Sequence, residues 1–343
     1  MRGFRPLARL FCLAFAMVLC AAAGIGEKAE IIEVRRLWTA APHSAFTDLA
    51  RYQQRWYLVF REGTSRVSGD GIVRILSSND GERWRSAGTL FYNGGDLRDP
   101  KLAVSPSNTL MLSATAVIPS DAGVGHQTLI WYSGDGRDWS DPVQVGDPNL
   151  RLWRVSWHDR RAFAVGYSTT AEKYLRLYTS KDGVFFKALA DQMYSGDASE
   201  SALFSGEEDS LYCVSQHEGS SLLGISRPPY RGWTWRELDT RIAAPNILQL
   251  PDGRLVIAGR FHAEESRTAL GWLDPKEGTV TRFLTLPSGG DNSSPGLVWY
   301  DGILWVSYHS SHEGKASVYL AKVKVPTLET RKRTFDPNKP FEP

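Results

Sequence analysis

Three acidic residues, Asp48, Asp99 and Glu200, and five arginines, Arg61, Arg98, Arg154, Arg260 and Arg267, sit at the ends of short apolar runs. A carboxyl beside apolar neighbours, as Glu200 is beside Ala202 and Leu203, is a candidate for a raised proton affinity and general acid work. Asp48 and Asp99 are candidates for its partner acid or base. Tyr308, in WVSYHS, is a candidate nucleophile or proton carrier. The guanidinium groups match carboxylates bidentately, and His43, Asn246, Asp291 and His309 add polar groups at similar positions. In WRVSWH, Trp157 and His158 follow Arg154, and a tryptophan face suits stacking on a sugar. Charges directed at one place are costly unless they pair or meet a ligand, so the expected ligand is anionic or rich in hydroxyls. The alternative is a water-filled channel laced by ion pairs such as Asp48 with Arg98 and Glu200 with Arg267. The histidines lack zinc-type spacing; no metal and no cofactor are expected.

The elements that must position these residues read as strands throughout. Runs such as RWYLVFREG, TLMLSATAV, RAFAVGYS, SLYCVSQ, RLVIAGR and ILWVSYHS each follow a turn, which fits β-hairpins. Tyr57, Leu110, Phe163, Leu211, Leu255 and Leu304 recur roughly every 45 to 55 residues, a period of four-stranded propeller blades. SSNDGERW, YSGDGRDW and YTSKDGVFF place Asp80, Asp135 and Asp182 at intervals of 55 and 47. The pattern reads as Ser, two positions, Asp-Gly, two positions, aromatic. Asp-Gly suits a tight turn between third and fourth strands, because glycine accepts positive φ and the aspartate bonds nearby amides. PPYRGWTW and WLDPKEGTV read as degraded copies. The prediction is an all-β, six-bladed propeller with blades near 44–95, 96–149, 150–196, 197–241, 242–288 and 289–325, in which EIIEVRRLW (30–38) completes the last blade.

Arg2, Arg5 and Arg9 precede the apolar run LFCLAFAMVLCAAA, which reads as a signal peptide over residues 1–23, ahead of a propeller at 24–326 and a polar tail at 327–343. An exported chain, periplasmic or secreted, is therefore expected, with no membrane partner after cleavage, and a monomer. Cleavage takes the basic residues from 40 to 37 against 38 acidic ones, a net charge of −1. Such a balance does not favour nucleic acid. Cys213 is then the one remaining cysteine, so internal disulfides are excluded and stability must come from burial.

Three such turns on a six-bladed pattern resemble the aspartate boxes of the sialidase superfamily. The resemblance implies a site of an arginine triad for the substrate carboxylate, a tyrosine nucleophile assisted by a glutamate, and an aspartic acid/base. Glu200, in ESALFSGEEDSLYCVSQ, matches the family's glutamate, and Arg267, in RTALGWLDPKEG, matches the third arginine, taken to lie on the second strand of the fifth blade. The chain departs from the pattern at Thr47 and Asp48 in place of the first arginine, Gln216 in place of the second and Ser294 in place of the tyrosine. The expected function is that of a glycosidase acting on a terminal acidic sugar, with Arg61, Arg98 or Arg154 replacing the missing triad members. A noncatalytic glycan-binding propeller and a uronate lyase are the alternatives, and a glycan is the partner in each.

Overall fold

The computed structural model describes residues 28–120 and 123–326. The expected signal segment and polar tail lie outside the described residues. Strand β1 (Glu30–Trp38) comes first. Blade 1 follows as β2 (His43–Tyr52), β3 (Arg55–Gly63), β4 (Ile72–Ser78) and β5 (Arg85–Leu90). Blade 2 is β6 (Asp96–Val104), β7 (Leu110–Ser120), β8 (Gly123–Ser133) and β9 (Val143–Val145). Blade 3 is β10 (Leu150–His158), β11 (Arg161–Ser168), β12 (Tyr174–Ser180) and β13 (Lys187–Ser195). Blade 4 is β14 (Ala198–Ser205), β15 (Leu211–His217), β16 (Leu222–Ser226) and β17 (Thr234–Glu237). Blade 5 is β18 (Ile242–Gln249), β19 (Leu255–Phe261), β20 (Arg267–Asp274) and β21 (Thr279–Thr285). Blade 6 is β22 (Asn292–Tyr300), β23 (Ile303–Ser310) and β24 (Ser317–Lys324), with β1 antiparallel to β24 as its fourth strand. The chain thus closes its own ring, and the seam between its ends is covered by a ladder instead of an open edge.

Continuous apolar runs such as WYLVF arise because the inner strands are packed on both faces by neighbouring blades; the outermost strand of blade 1, RSAGTL, is largely exposed. Six apolar clusters fill the six seams between blades. One joins Tyr57 and Val59 of blade 1 to Leu110 and Leu112 of blade 2, and another joins Trp56 to Trp305 across the closure, with ring centroids 4.4 Å apart.

The repeated turns behave as their composition requires. Asp80 Oδ1 accepts the amides of Glu82 and Arg83, each at 2.9 Å, and Ser78 Oγ accepts that of Gly81 at 2.8 Å. Asp135 and Asp182 repeat both contacts with Ser133 and Ser180. The serine that matters is therefore one position before the Asp-Gly pair's predecessor in all three copies: Ser78, not Ser77, so the spacing is one residue shorter than the sequence pattern predicted. Asp274 accepts the amides of Lys276 and Glu277 in the blade 5 copy, at 2.9 and 3.1 Å.

A second repeat was not visible in advance. Each of the six innermost strands carries one register shift near its start: between Ala45 and Asp48, Arg98 and Lys101, Leu152 and Val155, Ala198 and Ser201, Ala243 and Asn246, and Ser293 and Gly296. A bulge leaves one residue unpaired and redirects a side chain. The second residue inside the shift is proline in three blades, Pro100, Pro245 and Pro295, where no ladder N–H is needed. In the other three it is Thr47, Arg154 and Glu200. The first residue is left-handed in four blades, at Phe46, Asp99, Ala244 and Ser294 (φ 62°, 52°, 50° and 49°). Non-glycine residues rarely hold that conformation outside turns and functional sites.

Candidate active site

The six bulges ring one mouth of the central funnel, and charged side chains from every blade meet there. Glu200, on the blade 4 bulge, is faced by Asp99 and Lys101 of blade 2, Arg151 of blade 3 and Arg260 of blade 5. Burial, reinforced by the negative charge of Asp99, pushes its carboxyl up to about 7, against the pull of Arg151, Lys101 and Arg260. Lys101 is pulled down to about 8 by burial, in part offset by Asp48. Its ammonium lies 4.6 Å from the centre of the Trp153 ring and donates to Pro100 O at 3.3 Å.

Asp291, immediately before β22, has the opposite environment. Burial alone would raise its carboxyl, but hydrogen bonds from His309 and His43 and the nearby charge of Arg66 hold it far below the usual carboxylate range. His43 Nε2 lies 2.8 Å from Oδ2, His309 Nε2 lies 3.5 Å from Oδ1, and Arg66 also binds Oδ1. His309 Nδ1 accepts the Phe46 amide at 3.2 Å, which leaves its proton on Nε2, toward Asp291. Glu200 and Asp291 both act on Arg260, whose proton affinity is lowered by burial and by the charge of Arg66, and its buried Nε has no partner among the described residues.

Other expected residues prove to be struts. Asp48 is buried; its carboxylate takes two bonds from Arg154, at 2.8 and 3.1 Å, and the Leu102 amide at 2.8 Å. That pairing replaces the expected Asp48–Arg98 pair and commits both carboxylate oxygens to protein donors. Arg98 instead binds Asp96 at 2.5 Å. Arg61 is fully buried against Asp96 at 2.8 Å and also donates to Ser65 O and to Ser68 O and Oγ, so it braces the mouth instead of meeting substrate. Gly71 lies where a Cβ would fall 1.8 Å from Asp96 Oδ1, so only glycine lets this bridge form. Asn246 is spent on Pro295 O and the Ile247 amide. Asp99 pairs with Arg151 beside Glu200.

Four expectations are corrected outright. Tyr308 belongs to the core: its ring stacks on Tyr319 at 5.3 Å and its hydroxyl donates to Pro287 O at 2.9 Å. Trp157 and His158 lie at the far end of β10, where Trp157 packs under Gly183 of a box turn and His158 Nδ1 meets Ser205 Oγ at 2.6 Å. Arg267 opens β20, the third strand of blade 5, not the second, and is engaged by Glu265 and by Ser288 O, so the expected Glu200–Arg267 pair does not form. The sequence reading missed Arg151, Tyr167 and His126. Reading the third inner strand from LRLWRVSWH, which starts beside Arg151, would have found the first of these.

A groove of about 710 Å³ beyond the far ends of β14 and β18 is a weaker candidate. Its tryptophan, Trp272, is already covered by protein, with the Arg254 guanidinium over its ring at 4.2 Å and Phe283 stacked on it at 4.5 Å.

No protein-family model and no curated protein matches the sequence. Solved structures do match. A protein of unknown function from Dyadobacter fermentans is 15% identical over 87% of this chain and 99% of its own, with a TM-score of 0.77. The α-L-arabinanase of Penicillium chrysogenum, solved with arabinobiose, is 12% identical over 86% of this chain and 98% of its own (TM-score 0.65). The Trypanosoma rangeli sialidase, solved with the inhibitor DANA, is 9% identical over 87% of this chain and 60% of its own (TM-score 0.66). The chain shares the six-bladed propeller fold of these structures. Of the positions that depart from the sialidase signature, Gln216 has structural employment here, its Oε1 accepting the Ala244 amide at 3.1 Å, while at Ser294 it is the backbone carbonyl that accepts the Thr47 hydroxyl, at 2.9 Å.

Proposed function

We propose that the chain is an exported glycoside hydrolase that removes a terminal sugar from a glycan, with Glu200 as general acid and Asp291 as the ionised partner. The observation that carries this reading is a pair of carboxyls, both within the field of Arg260, whose proton affinities are driven in opposite directions. Two carboxyl groups flanking a glycosidic bond are what its hydrolysis requires: one protonates the leaving oxygen while the other stays charged against the oxocarbenium-like centre. Glu200 is suited to the first task because it keeps its proton into the neutral range. Asp291 is suited to the second because His43, His309 and Arg66 hold it ionised. Asp99 contributes indirectly, since its negative charge adds to burial in holding the proton on Glu200.

Glycosidases among the fold relatives, acting on arabinose-containing and sialic acid substrates as their names state, support the class of reaction. The test uses leaving groups. Glu200→Gln is expected to lose about 10²–10⁴-fold on glycosides with poor leaving groups and to retain far more activity on dinitrophenyl glycosides, which need no acid. Equal losses on both kinds of substrate would remove Glu200 from the role.

The employment of the Gln216 side chain on the Ala244 amide favours a second reading, a binding propeller without turnover. It predicts saturable glycan binding, unchanged by Glu200→Gln, and no product after prolonged incubation.

A further inference from the structure

The junction of blades 6 and 1 holds a histidine whose chemistry the hydrolase reading does not use. Both oxygens of Asp291 are committed to protein: Oδ2 lies 2.8 Å from His43 Nε2, while Oδ1 takes Arg66 and, at 3.5 Å, His309 Nε2. Lone pairs shared among three donors are poor nucleophiles toward carbon, and the carboxylate lends its charge to those donors instead. Arg66 stays a cation in every state. Only the two histidines can carry a proton on behalf of Asp291.

The two rings differ in what they have left to give. His309 is spent at both nitrogens, Nε2 on Asp291 and Nδ1 accepting the Phe46 amide at 3.2 Å. His43 is 8% exposed, and its buried Nδ1 has no partner among the described residues. Because an ionised carboxylate only accepts, the hydrogen of the neutral His43 ring sits on Nε2, toward Asp291, and the lone pair sits on Nδ1. A buried acceptor with nothing to accept is costly. What answers it is a hydroxyl donor. Ser293 Oγ is a second buried polar atom without a partner among the described residues. Ser293 is directly opposite His309 in the β22–β23 register, which puts the two side chains on one face of the blade.

We propose that His43, oriented by Asp291, is the general base that activates the attacking water, so that hydrolysis inverts the anomeric carbon. This rests on the reading of Glu200 as general acid, and it gives the charge of Asp291 its route to the substrate. A water hydrogen passes to His43 Nδ1 while the water oxygen bonds to the anomeric carbon, on the face opposite the leaving group. The glycosidic C–O bond breaks, and the Glu200 proton goes to the departing oxygen. His43 then returns its proton to solvent as Glu200 regains one, so the net change is the addition of one water. The bond to Asp291 fixes the ring and stabilises the imidazolium as it forms, the task of the carboxylate in a Ser-His-Asp triad. Ser293 Oγ is available for the second bond that a held water needs.

The test uses the full chain with nitrophenyl and dinitrophenyl arabinosides, sialosides and uronides. Proton NMR in the first minutes of reaction, before mutarotation, is expected to show the inverted anomer from the wild-type protein. His43→Gln, whose amide can still donate to Asp291, is expected to lose about 10²–10⁴-fold in kcat/KM on both leaving groups alike, because water must attack in either case. Azide attacks without giving up a proton. It is expected to restore turnover of dinitrophenyl glycosides by the variant about tenfold or more, with dinitrophenolate leaving and a glycosyl azide of inverted configuration formed. A retained anomer from the wild-type protein decides against the base whether or not the variant folds. A folded His43→Gln protein that keeps activity within about threefold of wild type, or that azide does not rescue, would also overturn it. Each of these results leaves Glu200 in its role; no product from the wild-type protein on any glycoside would remove the base and the hydrolase reading together.

Discussion

The box turns and the funnel use the same residue for opposite ends. Asp80, Asp135 and Asp182 have the same partners in three blades: amides two and three residues on, and a serine hydroxyl two residues back. The funnel aspartates have no common partner: Asp48 takes Arg154, Asp96 takes Arg61 and Arg98, Asp99 takes Arg151, and Asp291 takes two histidines and Arg66. Repetition builds the ring, and departure from repetition at the bulge positions loads it with chemistry. Pro100, Pro245 and Pro295 show what that position holds when only the backbone matters; Arg154 and Glu200 show what it holds when a side chain is needed.

The comparison is broken most severely at Glu200. Glu200→Gln should lower hydrolysis of unactivated glycosides by about 10³-fold, while the same change at a box aspartate should leave turnover untouched. Asp291→Asn comes next, with a loss of about 10²-fold or more in kcat, measured well below the variant's own thermal unfolding transition.

Stability should separate the regions by pH. The Glu200 carboxyl, ordinarily near 4.5, rises to about 7 in the fold. Between those values the folded state holds a proton that the unfolded chain has released, so Glu200 weakens the fold progressively as pH rises from 4.5 to 7, by at most ~3 kcal/mol in all. Glu200→Gln should therefore be the more stable protein at pH 8, and the gap should close at pH 5. The box aspartates run the other way. Backbone amides hold Asp80, Asp135 and Asp182 below the ordinary 3.8, so their contribution is present above that value and is lost as pH falls below it. The smallest expected effect is at the periphery: Asp80→Ala should cost a few degrees of Tm by calorimetry, with kcat unchanged. A large loss of turnover in Asp80→Ala would dissolve the distinction between the two regions.

The fold was legible because its signals are local. An Asp-Gly turn is decided within seven residues, its recurrence gives the period, and the EIIEVRRLW strand was identifiable by counting blades. Glu200 was legible for the same reason, as a carboxyl among apolar neighbours on a strand start. What the sequence could not show is who faces whom across the axis. Asp48 and Arg154 are 106 residues apart, and nothing local distinguishes that pair from Asp48 with Arg98. Tyr308 misled because a tyrosine alternates with core residues on β23, and its face is decided by packing on Tyr319. Trp157 and His158 misled because the strand runs the full depth of the blade, so its last residues lie at the end opposite Glu200. His126 and Tyr167 reach the mouth only through strand pairing within blades 2 and 3.

The central claim is that chemistry resides at Glu200 on the blade 4 bulge. Its most direct test is the pH dependence of turnover for the wild-type protein and Glu200→Gln, side by side, on a panel of arabinosides, sialosides and uronides. The account predicts turnover of at least one substrate whose kcat/KM falls above a midpoint near pH 7, and no comparable turnover by the variant on unactivated substrates. Equal turnover by the two proteins, or binding without any product across the panel, would contradict it.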